Sequence, residues 1–203
     1  AADGAMVLTG SSSRGGQVFP NVIKTVADAN AIGPSLVSAV SRKLHSGHGS
    51  PFDLTLDTTA TISGPLATEP RSQGSGHTIV FKFDTAIASV VTVDIADASG
   101  TPMGQATPNI SGNDVSVLLP PIADMTRTKI SLTGVNALTS IDVNVGFLFG
   151  DVTGTRKVSA ADISAMKARR GQSIATGSNF VYDVDTKGSN DDADLSIVKS
   201  QSG

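Results

Sequence analysis

The chain has 203 residues, of which 16% are charged, and a formal net charge of −3 at pH 7. Proteins that bind nucleic acids need a concentrated basic surface, so this composition argues against that class of partner. No apolar run approaches the roughly 20 residues that a membrane-spanning helix requires, so we expect no membrane span. The length allows one large domain or two small ones.

Residues 1–33 are predicted to form an N-terminal extension. Within it, Met6–Leu8 and Val18–Val26 are candidates for strands at the edge of a sheet. The start at Ala1-Ala2-Asp3 fits a chain cleaved after a signal peptide, and it fits an arbitrary boundary equally well.

Residues 34–149 are predicted to form an immunoglobulin-like β-sandwich, because short runs rich in β-branched and aromatic residues are separated by turn signals. The candidate strands are Ser35–Ser41, Phe52–Leu56, Thr78–Phe83, Val90–Ile95, Val115–Leu119, Ile130–Leu132 and Ile141–Phe149. In three of them, alternation predicts one buried face. These faces are Ile79, Phe81 and Phe83; Val91, Val93 and Ile95; and Val115, Val117 and Leu119.

Residues with catalytic or metal-binding potential are sparse in this region. His45 and His48 have the spacing H-x-x-H, but the glycines beside them favour a solvated loop over a zinc site. Glu69 precedes a proline and is expected in a loop. The sequence does not pair it with a second carboxyl across a cleft, as a glycosidase would need, so we expect no catalytic residues and no enzymatic activity.

Residues 150–203 contain two copies of one unit. Residues 151–171 and 183–203 align without gaps at an offset of 32 residues. Each copy opens with a loop and continues as a short amphipathic helix, which in the first copy runs from Ser159 or Ala160 to Arg170. Because each helix is too short to be stable alone, we expect the two helices to bury their apolar faces against each other.

The spacing of oxygen-bearing residues in the second copy predicts a calcium site. A 12-residue calcium loop places oxygen ligands at positions 1, 3, 5, 7, 9 and 12. The predicted ligands are Asp183, Asp185, Ser189 through its carbonyl, Asp191 and Asp194. Gly188 falls where the turn is sharp, whereas Lys187 at position 5 has no lone pair to donate and repels a cation.

The first copy has a poorer set of ligands. Its candidates are Asp151, Thr153, Thr155, Lys157, Ser159 and Asp162, and Arg156 replaces the turn glycine. Only two carboxylates remain, so we predict that this loop binds calcium weakly or has replaced the ion by hydrogen bonds and a salt bridge from Arg156. A structural Ca²⁺ is therefore expected in the second loop rather than in the first.

The C-terminal pattern resembles the type I dockerin family. The resemblance rests on the motif Gly150-Asp151-Val152-Thr153-Gly154, on the aspartate at loop position 12 of both copies, and on the A-D-[IL]-S-x-[MV]-K helix starts. It covers residues 150–203. It implies a calcium-dependent module that binds cohesin domains of scaffolding proteins, usually in bacterial polysaccharide-degrading systems, and hence a secreted or cell-surface bacterial protein.

The resemblance also implies a partner-binding surface, formed by loop positions 10 and 11 and a helix lysine of each copy. These residues are Ala160, Ala161, Lys167, Asp192, Ala193 and Lys199. A second interpretation stays open, in which the module is a structural cap on a carbohydrate-binding or adhesive β-sandwich. No flexible linker separates the strand Ile141–Phe149 from the first loop, and this predicts a fixed docking of module and sandwich.

Overall fold

The computed structural model describes residues 33–74 and 76–203, and residues 33–203 form one structural unit. The predicted strands Met6–Leu8 and Val18–Val26 lie outside the described residues. The described part of the chain is mainly β, with two short α-helices near its C-terminal end. None of the helices in these residues is long and apolar enough to cross a bilayer.

Ten strands and three helical segments follow one another in the described residues. The strands are β1 (Leu36–Lys43), β2 (Phe52–Leu56), β3 (Thr68–Glu69), β4 (Thr78–Phe83), β5 (Thr92–Asp97), β6 (Pro102–Gln105), β7 (Pro108–Ser111), β8 (Asp114–Leu118), β9 (Thr126–Val135) and β10 (Thr139–Phe147). The helical segments are α1 (Ala160–Arg169), the 3₁₀ helix Asn179–Tyr182, and α2 (Asp192–Gln201).

The strands form two five-stranded sheets that share one apolar core. The strand order is β2-β1-β4-β8-β7 in the first sheet and β3-β10-β9-β5-β6 in the second. The pairs are antiparallel except for β3, which runs parallel to β10. Phe81 and Val117 of the first sheet and Ile95, Leu132 and Val145 of the second lie in the same buried cluster.

The seven predicted strands are present, with ends shifted by up to four residues. The predicted buried faces of β4 and β8 are confirmed, and so are Val93 and Ile95 in β5. The assignment of Val91 to the core is wrong, because its side chain is 68% exposed. The chain enters β5 only at Thr92, so the alternation of the strand does not constrain the preceding valine.

The three strands missing from the prediction all lie at sheet edges. They are β3, β6 and β7. Two of them begin with a proline, Pro102 and Pro108, and none carries an alternating apolar pattern. An edge strand pairs on one side only and tolerates proline, so the usual sequence signals of a strand are absent there.

Glu69, the single glutamate of the chain, lies in the edge strand β3 and not in the predicted loop. Its buried carboxylate accepts four hydrogen bonds of 2.5–3.0 Å, three from Arg71 and one from the hydroxyl of Ser41. Burial raises the pKa of Glu69, but the hydrogen bonds and charge of Arg71 outweigh it and hold this pKa below its usual value. The carboxylate is therefore the ionised half of a fully hydrogen-bonded buried pair.

The α-helices begin and pack as the repeat predicts. Ser159 and Asp191 cap α1 and α2, and in both helices the aspartate three residues later bonds back to the cap. Met166 of α1 and Leu195 and Val198 of α2 lie in one buried cluster. The expected packing of the two apolar faces is confirmed.

The C-terminal repeat is packed against the first sheet. An apolar cluster joins the two parts through Ile174, Phe180 and Val181 on one side and Phe52 and Leu54 of β2 on the other. Backbone hydrogen bonds add to it, from the Ser46 N–H to the Thr186 carbonyl at 2.9 Å and from the Ser72 N–H to the Val184 carbonyl at 2.7 Å. These are the contacts that a fixed docking requires.

We expect His77 to make the free energy of unfolding depend on pH. Burial lowers the pKa of His77 to about 4, whereas an unfolded histidine titrates near 6.5. Between these pH values the unfolded state binds a proton that the native state does not bind. The free energy of unfolding therefore decreases as the pH falls from 6.5 to 4.

The variant His77→Leu tests this directly. It removes the titrating group, so the stability of wild type relative to the variant should drop by up to about 3 kcal/mol between pH 7 and pH 4. Urea unfolding of both proteins at these pH values measures the difference, in which the other titrating groups cancel. Parallel pH profiles would contradict the expectation.

Candidate metal centre

The second loop, residues 183–194, brings three carboxylates together. One oxygen from each of Asp183, Asp185 and Asp194 lies within 4.8 Å of the other two. Asp183 and Asp194 are fully buried, and the side chain of Asp185 is 12% exposed. A buried group of this kind could hold a metal ion.

Backbone N–H groups hold two of these carboxylates in place. Asp183 accepts hydrogen bonds from the N–H of Lys187 at 3.0 Å and from that of Gly188 at 2.7 Å. Asp194 accepts N–H bonds from two other loop residues at 3.2 and 3.0 Å. A carboxylate has about four acceptor sites, so both groups retain capacity to bind a cation.

The electrostatics of the loop favour a cation. Burial, together with the negative charges of Asp185 and Asp183, raises the pKa of Asp194 to about 6. Near neutral pH the loop therefore holds carboxylates that repel one another in a poorly solvated position. A bound cation would remove this repulsion.

The other residues predicted as ligands of the second loop lie around this group. Lys187, whose side chain is 74% exposed, forms an ion pair of 2.9 Å with Asp185. Asp191 accepts a hydrogen bond from the Ser189 hydroxyl at 2.9 Å and caps α2 by accepting the Ala193 N–H at 2.8 Å. The structure thus brings together three of the four predicted carboxylates and places the fourth at the helix start.

The position-12 aspartate of the first loop is surrounded by donors. Asp162 accepts hydrogen bonds from the backbone N–H and the hydroxyl of both Thr153 and Ser159, at 2.7–3.2 Å. Burial raises the pKa of Asp162, but these hydrogen bonds outweigh it and the pKa lies below its usual value. Hydrogen bonds therefore satisfy this carboxylate without a metal.

The position-1 aspartate of the first loop is held by backbone groups. Asp151 accepts the N–H of Thr155 at 2.9 Å and that of Arg156 at 2.7 Å. The Thr155 hydroxyl donates a hydrogen bond of 3.2 Å to the Lys157 carbonyl. The ion pairs of the described residues do not include Arg156, so the expected salt bridge is wrong and the expected hydrogen bonds are confirmed.

Loop positions 3 and 9 explain why the two copies differ. In the first copy they are Thr153 and Ser159, whose hydroxyls donate to the position-12 carboxylate. In the second copy they are Asp185 and Asp191, whose carboxylates have no proton to donate when ionised. The first loop is completed by hydrogen bonds, whereas the second carries two more carboxylates, of which Lys187 pairs with one.

His45 contacts the second loop and was missed as a site residue. The expectation of a solvated loop is wrong for it, because the ring is fully buried and its Nδ1 lies 2.6 Å from Asp183 Oδ2. The turn after β1 folds against the second loop, where His48 lies 3.4 Å from the Gly188 carbonyl. Since 138 residues separate His45 from Asp183, no local sequence signal links them.

The six predicted partner-binding residues are all exposed. They are Ala160, Ala161 and Lys167 in α1 and Asp192, Ala193 and Lys199 in α2. Asp192 also forms an ion pair of 2.5 Å with Arg170, which links the start of α2 to the end of α1. The surface that they form is open to solvent.

Comparison with known proteins assigns no family to the chain. No protein-family model matches it, and no curated protein matches it. Its function is therefore argued from its own residues.

We expect Gly188→Ala to destabilise the protein. A Cβ at Gly188 would lie 2.0 Å from the Ser46 carbonyl oxygen, in addition to the strain of its φ of +95°. The equivalent residue of the first loop is Arg156, an exposed residue whose φ of 66° shows that this backbone conformation accommodates a side chain there. The required glycine is thus a consequence of the close approach of the sandwich.

Gly154→Ala is the matched control, since Gly154 has a φ of +67° and no atom within 4 Å of its added Cβ. Left-handed strain alone should cost the control about 1 kcal/mol, and overpacking should cost Gly188→Ala at least about 1–3 kcal/mol more. Urea unfolding curves measure both losses. Equal losses would show that Ser46 does not set the requirement.

Proposed function

We propose that the protein is a non-catalytic, secreted calcium-binding protein, whose C-terminal dockerin-type module attaches an immunoglobulin-like β-sandwich to a cohesin-type partner. One observation carries the calcium part of the proposal. Asp183, Asp185 and Asp194 converge in the second loop, where burial and mutual repulsion raise the pKa of Asp194 to about 6. Such a group is costly without a cation.

The chemistry of the donor set suits Ca²⁺. Calcium binds six to eight oxygen ligands at about 2.3–2.6 Å, so two ligands of one ion are separated by at most about 5 Å. The carboxylate oxygens of Asp183, Asp185 and Asp194 meet this limit. Lys187 is mostly exposed, so its ammonium group is free to leave Asp185 when an ion arrives.

The exposed helix surface supports attachment to a partner. Ala160 and Ala161 at the start of α1 have their counterparts, Asp192 and Ala193, at the start of α2. The fixed packing of the helices through Met166 gives these two helix starts a defined relative position. A partner could therefore read either copy or both.

A second candidate function is a structural cap, and the junction with the first sheet favours it. Phe180 stacks on Phe52 of β2 with ring centroids 5.4 Å apart. In this alternative the module stabilises a carbohydrate-binding or adhesive β-sandwich, and calcium maintains the cap. The two functions are compatible, because the surface used for the junction is not the exposed helix surface.

The non-catalytic part of the proposal is supported by Glu69. A general acid must reach its substrate, and the only glutamate of the chain is buried in a complete ion pair with Arg71. In this proposal the clustered aspartates, Asp183, Asp185 and Asp194, serve as metal ligands and not as catalytic acids. Export to the bacterial cell surface or beyond fits a calcium-dependent module, because extracellular sites operate at high calcium concentrations.

Calcium should stabilise the protein through the second loop alone. At a calcium concentration 100 times Kd, binding to the native state adds about 2.7 kcal/mol to the free energy of unfolding. For a chain of this size we expect Tm to rise by about 5–10 °C relative to a chelator. Differential scanning calorimetry with calcium and with chelator measures the shift.

A double variant, Asp185→Thr with Asp191→Ser, copies the donors of the first loop into the second. We expect it to melt higher than wild type in chelator and to lose the calcium shift. Asp162→Asn is the control in the first loop and should keep the shift at a lower baseline Tm. No calcium shift in the wild-type protein would disprove calcium binding.

Partner binding should depend on the exposed helix surface. Purified type I cohesin domains, tested as a panel by surface plasmon resonance in calcium, should include one that binds the chain. The reversed charges of Lys167→Glu with Lys199→Glu should abolish this binding without lowering Tm. If no cohesin binds the correctly folded calcium-loaded protein, the attachment role fails and the cap role is favoured.

A further inference from the structure

We propose that His45, in the turn that follows strand β1, is a positioning residue for the cation of the second loop. The sandwich would thereby supply part of the outer shell of a metal site whose ligands all come from the C-terminal repeat. This inference rests on the proposed function only in that the loop must bind an ion. It adds that a residue of the sandwich, His45, affects the affinity of the C-terminal repeat for the ion.

The contacts of His45 fix its proton. Nδ1 lies 2.6 Å from Asp183 Oδ2, which accepts a proton but has none to give. Nε2 lies 3.4 Å from Nη1 of Arg71, and a guanidinium only donates. Nδ1 is therefore the ring nitrogen that donates to Asp183.

Arg71 and Glu69 hold the imidazole in turn. Arg71 uses its five N–H groups on Glu69, on the carbonyls of Ser41 and Phe52, and on His45. The His45 ring also packs against Phe52, with centroids 5.0 Å apart and planes at 75°. These contacts restrain rotation of the imidazole, so the donor to Asp183 is held in a fixed orientation.

This donor has a specific consequence for the ion. A hydrogen bond to one oxygen of a ligating carboxylate orients the group and fixes which lone pairs face the metal. In the second loop the Gly188 N–H and His45 Nδ1 both bind Oδ2 of Asp183, whereas Oδ1 receives only the Lys187 N–H. Oδ1 is thus the oxygen with more capacity left for the cation.

The first loop offers a comparison within the same molecule. Its equivalent aspartate, Asp151, accepts the backbone N–H groups of Thr155 and Arg156 in the same way. The hydrogen bonds of the described residues give it no histidine. The histidine donor is therefore a feature of the second copy, which is the copy with the acidic cluster.

The experiment measures calcium affinity by isothermal titration calorimetry on the full chain. His45→Leu removes the donor at nearly constant volume, and His45→Asn keeps an amide N–H close to the position of Nδ1. His77→Leu is the control, because it also replaces a buried histidine of the sandwich but leaves Asp183 untouched. Outer-shell changes typically alter metal affinity by 10–100-fold.

We expect His45→Leu to raise Kd for calcium at least tenfold, with His45→Asn and His77→Leu within about threefold of wild type. A His45→Leu affinity equal to that of wild type would overturn the role of His45 and leave calcium binding intact. A wild-type protein that does not bind calcium would overturn the proposed function, and this inference with it. The two failures are thus distinguishable.

A second measurement, made on the wild-type protein, tests the inference if the His45→Leu variant does not fold. Long-range ¹H–¹⁵N spectra of the wild-type protein report the tautomer of each imidazole. We expect His45 to show a protonated Nδ1, with shifts that move on calcium addition while those of His77 stay constant. A His45 ring protonated on Nε2 alone, or unaffected by calcium, would contradict the inference.

Discussion

A buried carboxylate is stable only where donors or cations surround it, and this constraint organises the protein. Glu69 meets it with a complete set of donors from Arg71 and Ser41. Asp162 meets it with the hydroxyls and N–H groups of its own loop. Asp194 accepts two backbone N–H groups, but burial and the neighbouring charges of Asp185 and Asp183 still raise its pKa to about 6. The loop around Asp194 contains the carboxylate group that could hold a metal ion, and the sandwich contacts the repeat at this loop.

The two copies of the repeat thus share one backbone fold but differ in how their buried loop carboxylates are stabilised. Both helices keep the capping box and the shared apolar cluster, so the architecture does not depend on which solution a loop adopts. In the first loop, hydrogen bonds from the loop itself satisfy Asp162. The second is tied to the sandwich through His45 and the close approach of Gly188 to Ser46. In such a module the second copy fixes the position of the repeat on the sandwich, and the exposed starts of both helices stay accessible to a partner.

Much of this arrangement was predictable from periodicity and spacing. Alternation located β4 and β8, and the repeat located both helices and the acidic loop. The edge strands were not predicted from the sequence because they lack that alternation. The role of His45 and the burial of Glu69 were not predicted for a different reason. The contact of His45 with Asp183 spans 138 residues, and Glu69 is buried because β3 pairs with the distant strand β10. Local patterns of polar residues look alike whether they face solvent or a buried partner.

Anomalous diffraction from crystals of the full chain grown with calcium tests the central claim most directly. The account predicts an ion in the second loop within about 2.3–2.6 Å of oxygens from Asp183, Asp185 and Asp194, with His45 still donating to Asp183. It predicts no ion of comparable occupancy in the first loop. A second loop without an ion at millimolar calcium, or an ion held by the first loop instead, would contradict it.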